Sequence, residues 1–319
     1  MKLPMRLLKR WPGSRARHRA GVTAGLGAVL AMTLLFLPNA SPGIEQAALV
    51  EVPHATGVDL SDLGKGVVWI LAVGSDARPG EDMTHARGDA LQLIGIDAKT
   101  GAAADIGIPR DSWVDIPGHG MSKINASLYY GGPKLLGQMI GNLVGIQPSY
   151  VFVTRFQWFE DMVDSIGGIT VNNPVAFNDS FLKPKGFKTG KIHLNGYDAM
   201  AFSRSRHDLI RGDFDRSANQ QRVVKGIQEK VRERAGQPGF LAKGVLTVMK
   251  DLYTDLPPAE LYQLARAVAS VDPAKVTNCV VQGGIGTSSD GQSIVLADVG
   301  AAHRMADEAR NDATIEHCY

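Results

Sequence analysis

Apolar residues along this chain fall first into short continuous runs and later into stretches of helical period. Residues 67–74 (VVWILAVG) form an apolar run of strand length that ends at Gly74-Ser75-Asp76, the pattern of a strand buried on both faces. Residues 90–97 and 104–109 predict two further strands, joined by a turn at Asp97-Ala98-Lys99-Thr100-Gly101. Helical spacing follows over residues 135–144 and 156–166, with a strand at 150–154 between them. Gly167-Gly168 stops the second helix before a short strand at 168–171. Residues 172–195 are polar and carry Pro and Gly, which predicts a loop excursion over a site mouth. From Asp213 to Ser270 the pattern is mainly helical, and Pro257-Pro258 opens the last of these helices. A strand over 275–282, a Gly/Ser loop, and a final strand and helix complete the chain. Strands interleaved with helices predict an α/β fold whose sheet is covered on both faces.

The N-terminus follows a different rule. Residues 20–38 contain no charge, whereas residues 1–19 hold seven Lys or Arg and no acid. As a helix the uncharged segment extends roughly 28 Å, close to the hydrocarbon thickness of a bilayer. Cations before it and Glu45 and Glu51 after it orient the N-terminus inward and the rest of the chain outward. The alternative is a cleaved signal peptide; its best cleavage point follows Ala40, which leaves Pro38 where a small residue is wanted. Either reading exports the body. The predicted organisation is a cytoplasmic tail (1–19), a signal-anchor (20–38), a linker (39–62) and an extracytoplasmic, membrane-attached domain (63–319).

Export alters the meaning of composition. Apolar content of 44% and charged content of 21% are ordinary for a globular protein. Without the seven N-terminal cations, 27 basic residues face 32 acidic ones, so the body is mildly acidic and does not invite nucleic acid. Cys279 and Cys318, the two cysteines present, either form a disulfide in an oxidising compartment or remain two free thiols.

Candidate chemistry lies in short motifs that pair arginine with aspartate: Asp76-Ala77-Arg78, Arg87-Gly88-Asp89, Pro109-Arg110-Asp111, Arg204-Ser205-Arg206, and Asp213-x-x-Arg216 followed by Gln220. Lys123-Ile124-Asn125 adds a further cation and an amide. The guanidinium fork suits phosphate oxygens. Mg²⁺ usually takes one or two carboxylates together with substrate phosphates, so Asp76 and Asp89 form a candidate metal pair. Each motif taken alone reads as a surface ion pair or a turn cap. On a helix from Asp213, residues Asp213, Arg216 and Gln220 share one face, which Val223, Val224, Ile227 and Val231 continue; Asn219 lies off it. Inward-pointing charge there needs either a partner or a ligand. No phosphate-binding G-x-x-x-x-G-K-[ST] loop, H-E-x-x-H, G-x-S-x-G or dinucleotide glycine fingerprint occurs.

In order and spacing, seven stretches resemble the LytR-CpsA-Psr family of bacterial cell-envelope proteins: residues 70–78 (ILAVGSDAR), 87–97 (RGDALQLIGID), 108–114 (IPRDSWV), 123–132 (KINASLYYGG), 162–171 (MVDSIGGITV), 194–206 (LNGYDAMAFSRSR) and 212–224. They span about residues 67–232. The resemblance implies an α/β/α layered domain with a mixed central sheet. It also implies transfer of a glycan polymer (teichoic acid, capsule or arabinogalactan type) from a polyprenyl-pyrophosphate carrier to peptidoglycan. By position, Arg78, Arg110, Lys123, Arg204, Arg206 and Gln220 would contact pyrophosphate, and Asp213 with Arg216 would complete the ring. Asp76 and Asp89 would hold Mg²⁺ (or Mn²⁺), and Arg87 would bridge phosphate and Asp89. Asp76, Asp89, Arg87 and Arg110 are then the catalytic group. The family often has Arg-Gln where this chain has Asn219-Gln220, which implies a tuned site. Two rivals remain, a polyprenyl-(pyro)phosphate phosphatase and a non-catalytic, lipid-binding envelope regulator.

Overall fold

The structure, a computed structural model, describes residues 47–52, 55–205, 209–249, 252–254 and 256–319. The expected tail and signal-anchor, and Arg206, lie outside the described residues. In chain order the strands are β1 (Ala47–Glu51), β2 (Val67–Ser75), β3 (Gly88–Asp97), β4 (Ala102–Gly107), β5 (Trp113–Ile116), β6 (Gly120–Lys123), β7 (Tyr150–Arg155), β8 (Ile169–Asn173), β9 (Phe177–Asp179), β10 (Lys183–Phe187), β11 (Gly190–Leu194), β12 (Leu252–Thr254), β13 (Val276–Val280), β14 (Gly283–Thr287) and β15 (Ser293–Ala297). The helices are α1 (Ala126–Val144), α2 (Phe156–Ser165), α3 (Gly196–Arg204), α4 (Asp213–Ala235), α5 (Phe240–Met249), α6 (Pro258–Ser270) and α7 (Val299–Ala309).

Seven strands make a mixed sheet in the order β12-β1-β7-β2-β3-β4-β13. β3 runs antiparallel to both β2 and β4, whereas β7 and β13 run parallel to β2 and β4. Successive side chains of a strand point to opposite faces, and β2 uses both. Trp69, Leu71 and Val73 enter a core with Leu136 and Ile140 of α1 and Met305 and Ala306 of α7. Val68 and Ile70 face Trp158 of α2 and Leu261 of α6. This two-sided burial is why the run 67–74 is apolar without alternation. Glycine is required at Gly107, where a Cβ would collide with the Ser217 hydroxyl, so its absence lets α4 lie directly on β4.

Three expectations change. The linker assigned to 39–62 contributes β1 to the sheet, and Leu60 in a 3₁₀ turn is fully buried, its N–H donating to the Tyr150 hydroxyl at 3.1 Å. The loop excursion at 172–195 is instead two strand pairs, β9 with β10 and β8 with β11. They enclose a small core in which Phe177, Phe187 and Phe202 meet at 5.1–5.3 Å between ring centroids. Short strands rich in Lys and Gly hide that core from periodicity. Helix α1 begins nine residues before the predicted 135, because Gly131 and Gly132 break it and Pro133 restarts it at a permitted first-turn position.

The tail is tied back covalently. Cys279 on β13 and Cys318 are disulfide-bonded, with 5.3 Å between Cα atoms and 39 residues between them. A loop of this size contributes about 4 kcal/mol in the chain-entropy account. Reduction is therefore expected to lower the melting temperature by several degrees. Two thiols alkylatable without reductant, or an unchanged melting temperature, would exclude the bond.

Candidate functional site

The ends of β2 and β4 and the start of β3 meet at one edge of the sheet, and the predicted motifs meet there. Asp76, directly after β2, donates its N–H to the Arg87 carbonyl at 3.0 Å and accepts the Arg87 N–H on Oδ1 at 2.9 Å. Asp89, the second residue of β3, is ion-paired with Arg110, which follows β4. Arg204, the last residue of α3, brings Nη2 to 3.7 Å from Asp89 Oδ2 and lays its guanidinium 4.1 Å from the centre of the Phe156 ring. Asp111 continues the series, with Lys123 Nζ at 3.1 Å and Arg110 Nε at 3.8 Å. Its N–H reaches Asp213 Oδ2 at 3.4 Å, and Asp213 pairs with the buried Arg216. Paired charges of both signs thus run from Arg204 to Arg216 around one concave edge.

Electrostatics marks the carboxylates. Burial, and then the neighbouring charge of Asp89, push the Asp76 carboxyl above its ordinary range, offset in part by the Arg87 N–H and by Arg87 and Arg110. A carboxyl pushed up by a neighbouring carboxylate is one beside which a cation is welcome.

Other predicted residues take different places. The side chains of Arg78 and Arg87 are exposed, and Asp89 is bridged by Arg110 and Arg204 rather than by Arg87. Gln220 was expected on phosphate, but its amide is spent within the protein. It donates to the Asp89 and Ser203 carbonyls at 3.2 Å each and accepts from Gln92 at 3.0 Å. It braces β3, α3 and α4 around the ring. Asp213 with Arg216 makes the i,i+3 ion pair that was the alternative to a ligand site. Asn219, expected off the buried stripe, is buried, because α4 packs on the sheet along one side and on β8 along another.

Several contributors were not anticipated. Arg155, at the end of β7, donates to the Arg78 carbonyl at 2.7 Å and to that of Glu81, holding the loop after Asp76. Gln92 anchors Gln220 from within an otherwise apolar strand. That interruption of residues 90–97 was the signal available for it.

Behind the ring lies a cavity of about 870 Å³. Asp89, Arg204 and Gln220 belong to its wall, which continues past Ala72, Ala90, Ile94 and Phe152 of the sheet. Trp158, Met162, Val223, Ile227, Leu261 and Leu264 close it from the helices. Small side chains on this face (Ala72, Gly74, Ala90, Ala103) leave room that Val or Leu would fill. Most of the lining is apolar; Asp89 and Arg204 stand at the ring, and Asp105, Asp161, Lys225, Arg234 and Lys243 also border the chamber away from it.

Comparison with known proteins bears on this pairing of a charged ring and an apolar chamber. The LytR_cpsA_psr family profile matches residues 43–311. The polyisoprenyl-teichoic acid–peptidoglycan teichoic acid transferase TagU of Bacillus cereus is 31% identical over 200 residues, 62% of this chain and 64% of that protein. The chain therefore spans less than two thirds of that relative's length. The structure of Lin1025 from Listeria innocua superposes with a TM-score of 0.59 at 28% identity, covering 78% of this chain and all of that one. TagT with bound octaprenyl pyrophosphate lipid, at 23% identity, has the same fold, with a TM-score of 0.59 over 82% of this chain and 96% of the other.

Proposed function

This chain belongs to the LytR_cpsA_psr family, and from that premise we propose that it transfers a glycan polymer from a polyprenyl-pyrophosphate carrier to peptidoglycan. The observation that carries the reading is the shared wall. Asp89, Arg204 and Gln220 border both the charged ring and the apolar chamber, so one amphiphile with an anionic head and a long apolar chain satisfies both. Teichoic acid transfer to peptidoglycan by relatives named TagU, and the octaprenyl pyrophosphate held by TagT, support the same ligand class.

In this reading Arg110, Arg204 and Lys123 take the pyrophosphate oxygens. Arg206, outside the described residues, is assigned to the same head by its place in the sequence motif, and Arg78 and Arg87 reach the head from the exposed side. Asp76, whose carboxyl is raised in part by the charge of Asp89, and Asp89 are the residues that would hold Mg²⁺ or Mn²⁺, a cation that commonly takes one or two carboxylates together with substrate phosphates. The bound cation would supply charge neutralisation on the phosphate. A sugar hydroxyl of peptidoglycan attacks the glycan-linked phosphorus. The bond from that phosphorus to the bridging oxygen breaks, and polyprenyl phosphate leaves with the electron pair. The hydroxyl proton passes to a carboxylate of the Asp76–Asp89 pair. Arginines aimed at the developing charge do this without a covalent nucleophile. Residues 20–38 anchor the body on the outer side of the membrane, where carrier and acceptor are both found.

The deciding experiment incubates the full chain in detergent with a polyprenyl-pyrophosphate-linked glycan and peptidoglycan fragments. Glycan attached to peptidoglycan, with polyprenyl phosphate released in equal amount, is expected. Release to water regardless of acceptor would identify a phosphatase, and binding without turnover a lipid-binding regulator.

A further inference from the structure

One group in the chamber wall is foreign to an apolar slot. Asp105 sits in the middle of β4, opposite Ile94 on β3 and Asn278 on β13. Alternation along β4 turns Ala104 and Ile106 toward α1 and α7, so Asp105 shares the chamber side with Ala103. It is 2% exposed, and both of its carboxyl oxygens are without a hydrogen-bond partner among the described residues. The neighbouring Gln221 amide donates to the backbone carbonyls of Asp105 and Cys279 at 2.8 and 2.7 Å, and is close enough to the carboxyl to favour its charged form without completing a well-formed hydrogen bond to it. Burial pushes the Asp105 carboxyl up to about 8, with Gln221 offsetting this in part, so the group carries its proton at neutral pH. A buried carboxylic acid without a partner is costly in a fold, and the charged ring makes no use of this one.

The ring and Asp105 are separated by a definite length of chain. From Asp89 to Ile94, which faces Asp105, is five residues of β3, roughly 17 Å at strand rise. A lipid whose head lies in the ring therefore passes Asp105 with the middle of its chain. A hydrocarbon offers a hydroxyl donor one kind of acceptor, the π face of a carbon–carbon double bond. Isoprenoid chains carry one in every unit; saturated acyl chains carry none.

We infer that Asp105 is a specificity-determining residue of the chamber, donating its carboxylic O–H to a double bond of the lipid and so favouring an unsaturated isoprenoid over a saturated chain. The inference rests on the reading above, in which the chamber takes the carrier's lipid.

The test is a thermodynamic cycle on the full chain in detergent, measured by calorimetry. The probes are geranylgeranyl pyrophosphate and its fully hydrogenated counterpart, phytanyl pyrophosphate, which share length, branching and head group. Wild type is expected to prefer the unsaturated probe. Asp105→Leu should reduce that preference about twofold to fivefold, the scale of one weak hydrogen bond. Asp105→Asn keeps an N–H donor and should retain most of it. If Asp105→Leu does not fold, Asp105→Ala is too small to clash and must give the same reduction. The cycle cancels differences in chain stiffness, which are common to all proteins tested. An unchanged ratio in the Leu or Ala variant would overturn the inference and leave the transfer reading standing. An equal gain in affinity for both probes would do the same, since that is the result of merely removing a misplaced polar group. Failure of wild type to bind either probe would remove both.

Discussion

Asp89→Ala is expected to cut transfer by about a hundredfold to a thousandfold, the scale of losing a placed electrostatic element of an active site, while leaving the affinity for polyprenyl pyrophosphate equal or higher. Both halves follow from what Asp89 touches. It holds Arg110 and lies 3.7 Å from Arg204, so it sets where two guanidiniums point and also cancels part of their charge. Without it the ring becomes more positive and attracts an anion at least as well. The guanidiniums, however, are no longer aimed, and one carboxylate of the candidate metal pair is gone. Turnover and binding should therefore move apart, and the requirement for Mg²⁺ should weaken with turnover. Steady-state transfer kinetics beside calorimetry with a short polyprenyl pyrophosphate read the two separately. Turnover within tenfold of wild type would show that Asp89 is an ordinary ion-pair partner.

Arg110→Ala should do the opposite and weaken binding as well as turnover. Charge-assisted bonds to phosphate contribute roughly 1.5–3 kcal/mol, so a loss of about tenfold to a hundredfold in affinity is expected. Removal also deprives Asp89 of its closest cation and Asp76 of a charge that lowers its pKa. The Asp76 carboxyl then moves further up, and the acidic limb of the pH–rate profile should move to higher pH with it. Arg110→Lys keeps the charge but loses the fork between Asp89 and Asp111, and should restore only part of the affinity. Arg204→Ala is expected to follow Arg110→Ala in kind. Arg216→Ala serves as the contrast: its partner Asp213 is bonded to the Asp111 N–H, so its removal should lower the melting temperature more than the affinity. Calorimetry on the three alanine variants separates these cases, and unchanged affinity in Arg110→Ala and Arg204→Ala would refute the site as drawn.

Much of this architecture was legible in residue order. The run 67–74 announces a strand buried on both faces because each face has its own helical layer to cover it. The ends of β2 and β4 carry Asp76 and Arg110 within motifs whose order already resembled one family. That legibility stops where contacts join residues far apart in the chain. β1 is five residues long, and it is a strand only because β7 and β12 flank it. The strand pairs of 172–195 form because Phe177 and Phe187 find Phe202, a meeting that no local period encodes. Gln220 was expected on phosphate for its place in a motif, yet its amide is fully used by Gln92, Asp89 and Ser203.

Local pattern and residue chemistry determined by themselves the long central strands and most of the helices, and that arginine and aspartate would gather at strand ends, because backbone period and side-chain charge are properties of neighbours in sequence. The tertiary structure alone decided which aspartate holds which arginine and where the apolar chamber lies. It also decided that Asp105 faces the chamber, because a cavity is the space left between elements and has no residues of its own.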